Sequence, residues 1–316
     1  MSTPIQGLHH VTAISHDAQR NYDFYAKALG LRFVKRTVNF DDPSAYHLYY
    51  GDAVGHPGTV MTFFPWEGIR PGRVGAGQVS ITHFAVPPGS LDFWQQRLTG
   101  RGAQLIAREA AFGENRARFR DPDGLLIALV ETTDPRIPWT NPEIDAAVAV
   151  RGFHGVTLAL HSGVPTGQIL TELLGYERVA SEAVAGGEGQ LVRYHMPAAP
   201  GAAVVDLHID PQLPRGIDGA GTVHHVAFAV PDRAAQAVIR ERFTGVGLGV
   251  TPAIDRDYFW AIYCRTPEGV LFEVATAEPG FTVDEPVESL GGALRLPRQH
   301  EPRREQIEAQ LPPLVL

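Results

Sequence analysis

Four stretches of this chain open alike, and that repetition constrains the fold more than any other feature, because a repeat reuses one supersecondary unit. The openings are Leu8-His9-His10-Val11-Thr12, Ile81-Thr82-His83-Phe84-Ala85-Val86, Phe153-His154-Gly155-Val156-Thr157 and His224-His225-Val226-Ala227-Phe228-Ala229-Val230. Each is a short alternating or apolar run and reads as a strand. A helix-like run follows each one, over residues 18–29, 91–98, 169–174 and 233–243. In the first, Tyr22, Phe24, Tyr25, Ala28 and Leu29 fall near helical spacing. Gly30 and Gly175 fit helix C-terminal caps. Strand-like runs separated by Gly and Pro turns come next. Asp121-Pro122-Asp123-Gly124 and Thr266-Pro267-Glu268-Gly269 are matching turns that lead into the last strands of units two and four.

The unit is therefore βαβββ, over residues 6–66, 78–131, 151–210 and 221–276. One unit's sheet has a greasy face that it cannot cover alone, so units should pair into curved sheets around a cavity. The expected fold class is α+β: four such modules paired into two curved-sheet domains. The expected division is an N-terminal half (1–140), a C-terminal half (141–281) and a tail (282–316). Modules one and four are expected to share a metal site. The stretch 134–142 carries three prolines and reads as the linker between halves. The tail should wrap the surface, with one short helix around residues 305–311.

Composition narrows the function. Lys plus Arg is 27 against 35 Asp plus Glu, a net charge of −8, with no basic run. Such a chain is a poor phosphate-backbone binder, so no nucleic-acid partner is expected. No apolar run is long enough to span a bilayer, and the first ten residues lack the basic head and apolar stretch of a secretory leader. A cytoplasmic protein without a membrane partner is the default expectation, with a homo-oligomer possible. Cys264 is the only cysteine, which excludes an intrachain disulfide and a cysteine-rich zinc site.

Overlaying the units singles out two positions. The first strand carries His10, His83, His154 and His225; the last carries Thr62, Ala128, Asp206 and Glu273. Units one and four then offer His10, His225 and Glu273, and units two and three offer His83, His154 and Asp206. Two neutral imidazoles and one carboxylate on one face of an octahedral metal leave about three positions open, which suits Fe(II). The first triad is favoured. Both of its histidines lie in a His-His-Val sequence, and Glu273 lies in the apolar run Leu271-Phe272-Glu273-Val274. A buried, unpaired carboxylate there would cost several kcal/mol, roughly the penalty that a cation removes. Asp206 has His208 and Asp210 nearby and should be more solvated. For His83 and His154 the plainer reading is a hydrogen-bonded core residue. His16, His47, His56, His161, His195, His208 and His300 are isolated, and no metal role is expected of them.

The pattern resembles the vicinal oxygen chelate superfamily, and within it the ring-cleaving dioxygenases that act on hydroquinones. The likeness is carried by Leu8-His9-His10-Val11-Thr12, Arg151-Gly152-Phe153-His154 and Val223-His224-His225, by Leu31-Arg32-Phe33-Val34-Lys35-Arg36-Thr37, by Tyr46-His47-Leu48-Tyr49-Tyr50 and by the run from Pro57 to Pro65. The run from Arg265 to Glu273 and Ser289-Leu290-Gly291 extend it along nearly the whole chain. The resemblance implies iron ligands at His10, His225 and Glu273. It implies pocket residues at His9, Thr12, His224, Arg256 and Tyr263, with Tyr263 and the two histidines moving protons and Arg256 steadying an anion. His83 departs from the family pattern. The implied activity is Fe(II)-dependent, extradiol-type ring cleavage of a small para-dihydroxylated aromatic with O2. Three alternatives stand beside it. A catechol extradiol dioxygenase would promote His154. A glyoxalase-type lyase or isomerase would want a second carboxylate where Thr62 or Ala128 stands. A metal-free binding module would not need the triad.

Overall fold

The computed structural model describes residues 3–185 and 188–316. Two eight-stranded curved sheets form the frame, and each takes one module from each half of the chain. Module one supplies β1 (Leu8–Ser15), β2 (Arg32–Val38), β3 (Tyr46–Gly51) and β4 (Val60–Pro65). Module four supplies β13 (Thr222–Val230), β14 (Ile254–Asp255), β15 (Phe259–Arg265) and β16 (Leu271–Pro279). Their sheet runs β14-β15-β16-β13-β1-β4-β3-β2. The second sheet, from modules two and three, holds β5 (Gln78–Val86), β6 (Gln104–Ala111), β7 (Glu114–Arg120), β8 (Leu126–Glu131), β9 (Gly152–Leu160), β10 (Glu177–Ala183), β11 (Gln190–His195) and β12 (Val204–Ile209). In each sheet the first strands of the two modules pair antiparallel at the middle, β1 with β13 and β5 with β9. A pseudo-two-fold therefore relates the modules of a sheet.

Strand alternation sorts the side chains. Val11, Ala13, Phe63, Phe228 and Phe272 enter a core continuous with Phe24, Tyr25, Phe84 and Trp94. The opposite, concave face of the first sheet carries the polar residues considered below. The helices are α1 (Ala18–Tyr22), α2 (Leu91–Gly100), α3 (Val164–Gln168), α4 (Arg233–Gly245) and α5 (Arg304–Gln310). Two of them are less regular than their periodicity suggests. α1 runs into a π-helical stretch at Asp23–Ala28, and α3 into one at Ile169–Leu173. Gly30 and Gly175 end these turns with φ of 76° and 80°, as expected of helix caps. The third helix starts at Val164 rather than near 169, because Pro165 is tolerated in a first turn that has no intrahelical donor to lose.

The matching turns of modules two and four have targets that their sequence does not reveal. The Glu268 carboxylate accepts from the backbone N–H of Ser162, Gly163 and Thr166 and from the Thr166 hydroxyl. It thus caps α3, which belongs to the other sheet. Asp123 does the equivalent for module one, accepting from the His16 N–H and pairing with Arg20. The two clasps tie the sheets together.

Candidate metal centre

The two histidine doublets sit on β-bulges. In the β1–β13 ladder Leu8 faces Phe228 and His10 faces Ala227, so His9 is the unpaired extra residue. At the other end Thr12 faces His225 and Ala13 faces Val223, so His224 is the extra residue. A bulge re-aims side chains, which lets two consecutive histidines serve one site where regular alternation would send them to opposite faces.

His10, His225 and Glu273 are the group of three potential metal ligands found among the described residues, and all three are buried. His10 Nε2 lies 3.2 Å from His225 Nε2. Glu273 Oε2 lies 3.3 Å from His10 Nε2 and 2.9 Å from His225 Nε2. Donors about 2.1 Å from one ion at right angles stand about 3 Å apart, so the spacing fits a facial triad. Although these contacts are close, neither Glu273 oxygen has a hydrogen-bond partner of proper geometry. Burial works to raise the Glu273 carboxyl, but His10 and His225 outweigh it and hold the group well below its usual range. Burial also pushes His225 down from its ordinary value, against the pull of Glu273. Imidazoles bind a metal in their neutral form, which would leave the Glu273 carboxylate without a counter-charge that a divalent cation then supplies.

His9 and His224 stand behind the two ligand histidines. His9 Nδ1 is 2.9 Å from His10 Nδ1, and His224 Nδ1 is 2.8 Å from His225 Nδ1. If Nε2 of His10 faces a metal, its proton rests on Nδ1 and is donated to His9, whose own Nε2–H reaches the Thr276 carbonyl at 3.2 Å. Burial drives His9 down to about 3, which keeps it a neutral acceptor. His9 does not line the cavity beside the triad; His224 does, and is exposed. Thr12 is also set back, bonded to the Thr62 hydroxyl at 2.8 Å.

The cavity encloses about 400 Å³. Tyr263 lines it directly across the ladder from Glu273. Arg256 Nε donates to the Tyr263 hydroxyl at 3.3 Å, and its Nη2 reaches Asp41 at 3.3 Å. Burial opposes the Arg256 charge, but Tyr263 and Asp41 overcome it and the guanidinium stays cationic. Burial also pushes the Tyr263 hydroxyl up, so it remains protonated at neutral pH. Phe64, Phe259 and Leu271 supply apolar wall. Among the lining residues not expected from the sequence are two that carry polar groups on one strand. His47 and Tyr49 share a face of β3, and their i, i+2 spacing in a strand was the available signal.

The second sheet corrects the overlay of histidines. Its ladder sets His83 against Gly155 and Phe84 against Phe153, so His154 is a bulge residue and matches His9 rather than His10. The other bulge falls at Ser80, which matches His224. The positions equivalent to the ligand histidines are thus Gly155 and Ile81, and His83 stands two residues beyond. Asp206 is buried rather than solvated, because Arg193 engages both of its oxygens at 2.8 and 2.9 Å. Arg193 also pairs with Glu114, which takes His154 at 3.1 Å. His83 Nε2 bonds the Thr157 hydroxyl at 2.7 Å. This face neutralises itself with arginine.

Residues 7–129 match the model of the Glyoxalase/Bleomycin resistance protein/Dioxygenase superfamily. Along the chain there is 45% identity to MhqO of Bacillus subtilis (strain 168), provisionally named a ring-cleaving dioxygenase, covering 99% of this chain and 98% of that one. There is 36% identity to the chlorohydroquinone/hydroquinone 1,2-dioxygenase of Sphingobium indicum, covering 96% of this chain and 95% of the relative. A crystal structure of a provisionally named dioxygenase from Bacillus subtilis subsp. subtilis str. 168 superposes with a TM-score of 0.93 at 44% identity, covering 99% of each chain.

Proposed function

The chain belongs to the Glyoxalase/Bleomycin resistance protein/Dioxygenase superfamily, among its ring-cleaving dioxygenases, and from that premise we propose that it opens the ring of a hydroquinone with O2 using Fe(II) held by His10, His225 and Glu273. The observation that carries the reading is Glu273: a buried carboxylate with both oxygens free of hydrogen bonds, aimed at two imidazole nitrogens. A ferrous ion held there would supply Lewis-acid and redox chemistry toward a phenol and O2.

The chain's own groups do the rest. Tyr263, protonated and steadied by Arg256, donates to a substrate oxygen beside the triad. Arg256 compensates negative charge that develops on the opening ring. His224, exposed at the cavity, presents its Nε2–H there as a donor while its Nδ1 accepts from His225. His9 and Thr12 act from behind, His9 through its bond to His10 and Thr12 through Thr62. Phe64, Phe259 and Leu271 exclude water from the ring.

A glyoxalase-type lyase would draw a second carboxylate from the position related to Glu273. Thr62 occupies it, and its hydroxyl is engaged by Thr12 and His47. The name of the Sphingobium relative supports a para-diol over a catechol. An oxygen electrode tests the reading on iron-loaded protein. Uptake with methylhydroquinone and none with catechol is expected; uptake with catechol alone would overturn the substrate class.

A further inference from the structure

We propose that Tyr49, held by His47, is the anchor for the far hydroxyl of the substrate, para to the oxygen that faces the triad; this rests on the hydroquinone reading above. The pseudo-two-fold is the first argument. His10 and His225 are mates, which makes Thr12 the mate of Ala227 and Thr62 the mate of Glu273, because Thr12 faces Thr62 and Ala227 faces Glu273 in their ladders. Tyr49 faces Thr62 as Tyr263 faces Glu273. Tyr49 is therefore the counterpart of Tyr263, and both line the one cavity. Two phenol hydroxyls related across the triad suit a ring with an oxygen at each end.

The second argument is the bonding of Tyr49. It is fully buried, and its hydroxyl has a protein partner in His47 Nδ1 at 2.7 Å. His47 Nε2 meets the Thr62 hydroxyl at 2.8 Å, and Thr62 meets Thr12 at 2.8 Å. This chain can run either way. With His47 protonated on Nε2, Tyr49 donates to Nδ1 and keeps lone pairs for the cavity. With the other tautomer, Tyr49 accepts from His47 and turns its own O–H to the cavity. Either way one bond of the Tyr49 hydroxyl is left for a ligand. The ring cannot turn away, since Phe281 packs on it at 5.1 Å between centroids and the His47 ring lies at 4.0 Å. His47 thereby acts as a positioning residue and Tyr49 as the contact.

Calorimetric binding to anaerobic, iron-loaded protein tests this with hydroquinone and 4-methylphenol, whose methyl group matches the hydroxyl in size and makes no hydrogen bond. Wild-type protein should prefer hydroquinone by about tenfold, the worth of one well-placed hydrogen bond. Tyr49→Phe should bring hydroquinone to within about twofold of 4-methylphenol and leave 4-methylphenol unchanged. His47→Phe, which frees Tyr49 to rotate, should lower the preference while Tyr49 is intact. A Tyr49→Phe protein that keeps the wild-type ratio, or that loses both ligands alike, overturns the anchor alone. Wild-type protein that consumes no oxygen with any hydroquinone overturns the underlying reading, and the anchor with it.

Discussion

At the scale of the residue, the doublets carry two different jobs in adjacent positions. His10 and His225 present Nε2 to the triad, and His9 and His224 fix the tautomers from behind. His9→Phe is therefore expected to weaken ferrous binding about 10–100-fold, the usual cost of losing an outer-sphere partner; competition against a coloured chelator measures it. Substituting Glu273→Gln should abolish the rise in Tm that Fe(II) gives the wild-type protein, because binding energy for the ion appears as folding stability. The doublets and Glu273 were legible in the sequence because they depart from strand alternation and from apolar surroundings. The bulges were not, since a ladder register depends on the partner strand. That is why His83 and His154 overlaid with the ligands in sequence but stand off their positions in the sheet. His47 and Tyr49 were passed over for a different reason: one histidine in an aromatic strand looks like core until its neighbours across the sheet are known.

At the scale of the element, periodicity and turn chemistry were enough to read the βαβββ units, and the strands begin and end close to the expected limits. What they could not convey is what a turn or a charged strand residue touches across the molecule. Glu268 sits in an ordinary turn motif yet caps a helix in the other sheet. Glu268→Ala should lower stability by about 2 kcal/mol, since charged acceptors of backbone N–H groups are worth more than neutral ones, and urea unfolding measures it. Lys35 is a second case. It is fully buried on β2 and pairs with Asp284 at 2.6 Å and with Glu285, so it latches the tail onto module one. Lys35→Met leaves the buried Glu285 with Arg295, at 3.8 Å, as its remaining counter-charge and should cost about 3 kcal/mol, seen as a fall in the urea midpoint. The tail's short helix was foreseen near residues 305–311 and lies at Arg304–Gln310; the latch was not, because its partners are some 250 residues apart.

At the scale of the whole molecule, one architecture has been used twice with opposite outcomes. In the first sheet the concave face gathers carboxylate and imidazole, and its arginine, Arg256, pairs with Tyr263 and Asp41 rather than with Glu273. In the second, arginines fill the equivalent space. Burial would raise the Glu114 carboxyl there, but His154 and Arg193 prevail and hold it at about 2, from an ordinary 4.5. A carboxyl lowered on folding stabilises the native state above its unfolded value, and that share is lost as pH falls from 4.5 toward 2. Glu114→Gln should therefore flatten the loss of stability over that window, measured as Tm against pH. No helix among the described residues is long and apolar enough to cross a membrane.

The claim on which all of this turns is that one sheet holds an iron ion and the other does not. Anaerobic titration with Fe(II), followed by calorimetry on wild type, His10→Ala and His154→Ala, decides it. One ferrous ion per chain in the wild type and in His154→Ala, and none in His10→Ala, is the predicted result. Iron retained by His10→Ala and lost by His154→Ala would contradict it.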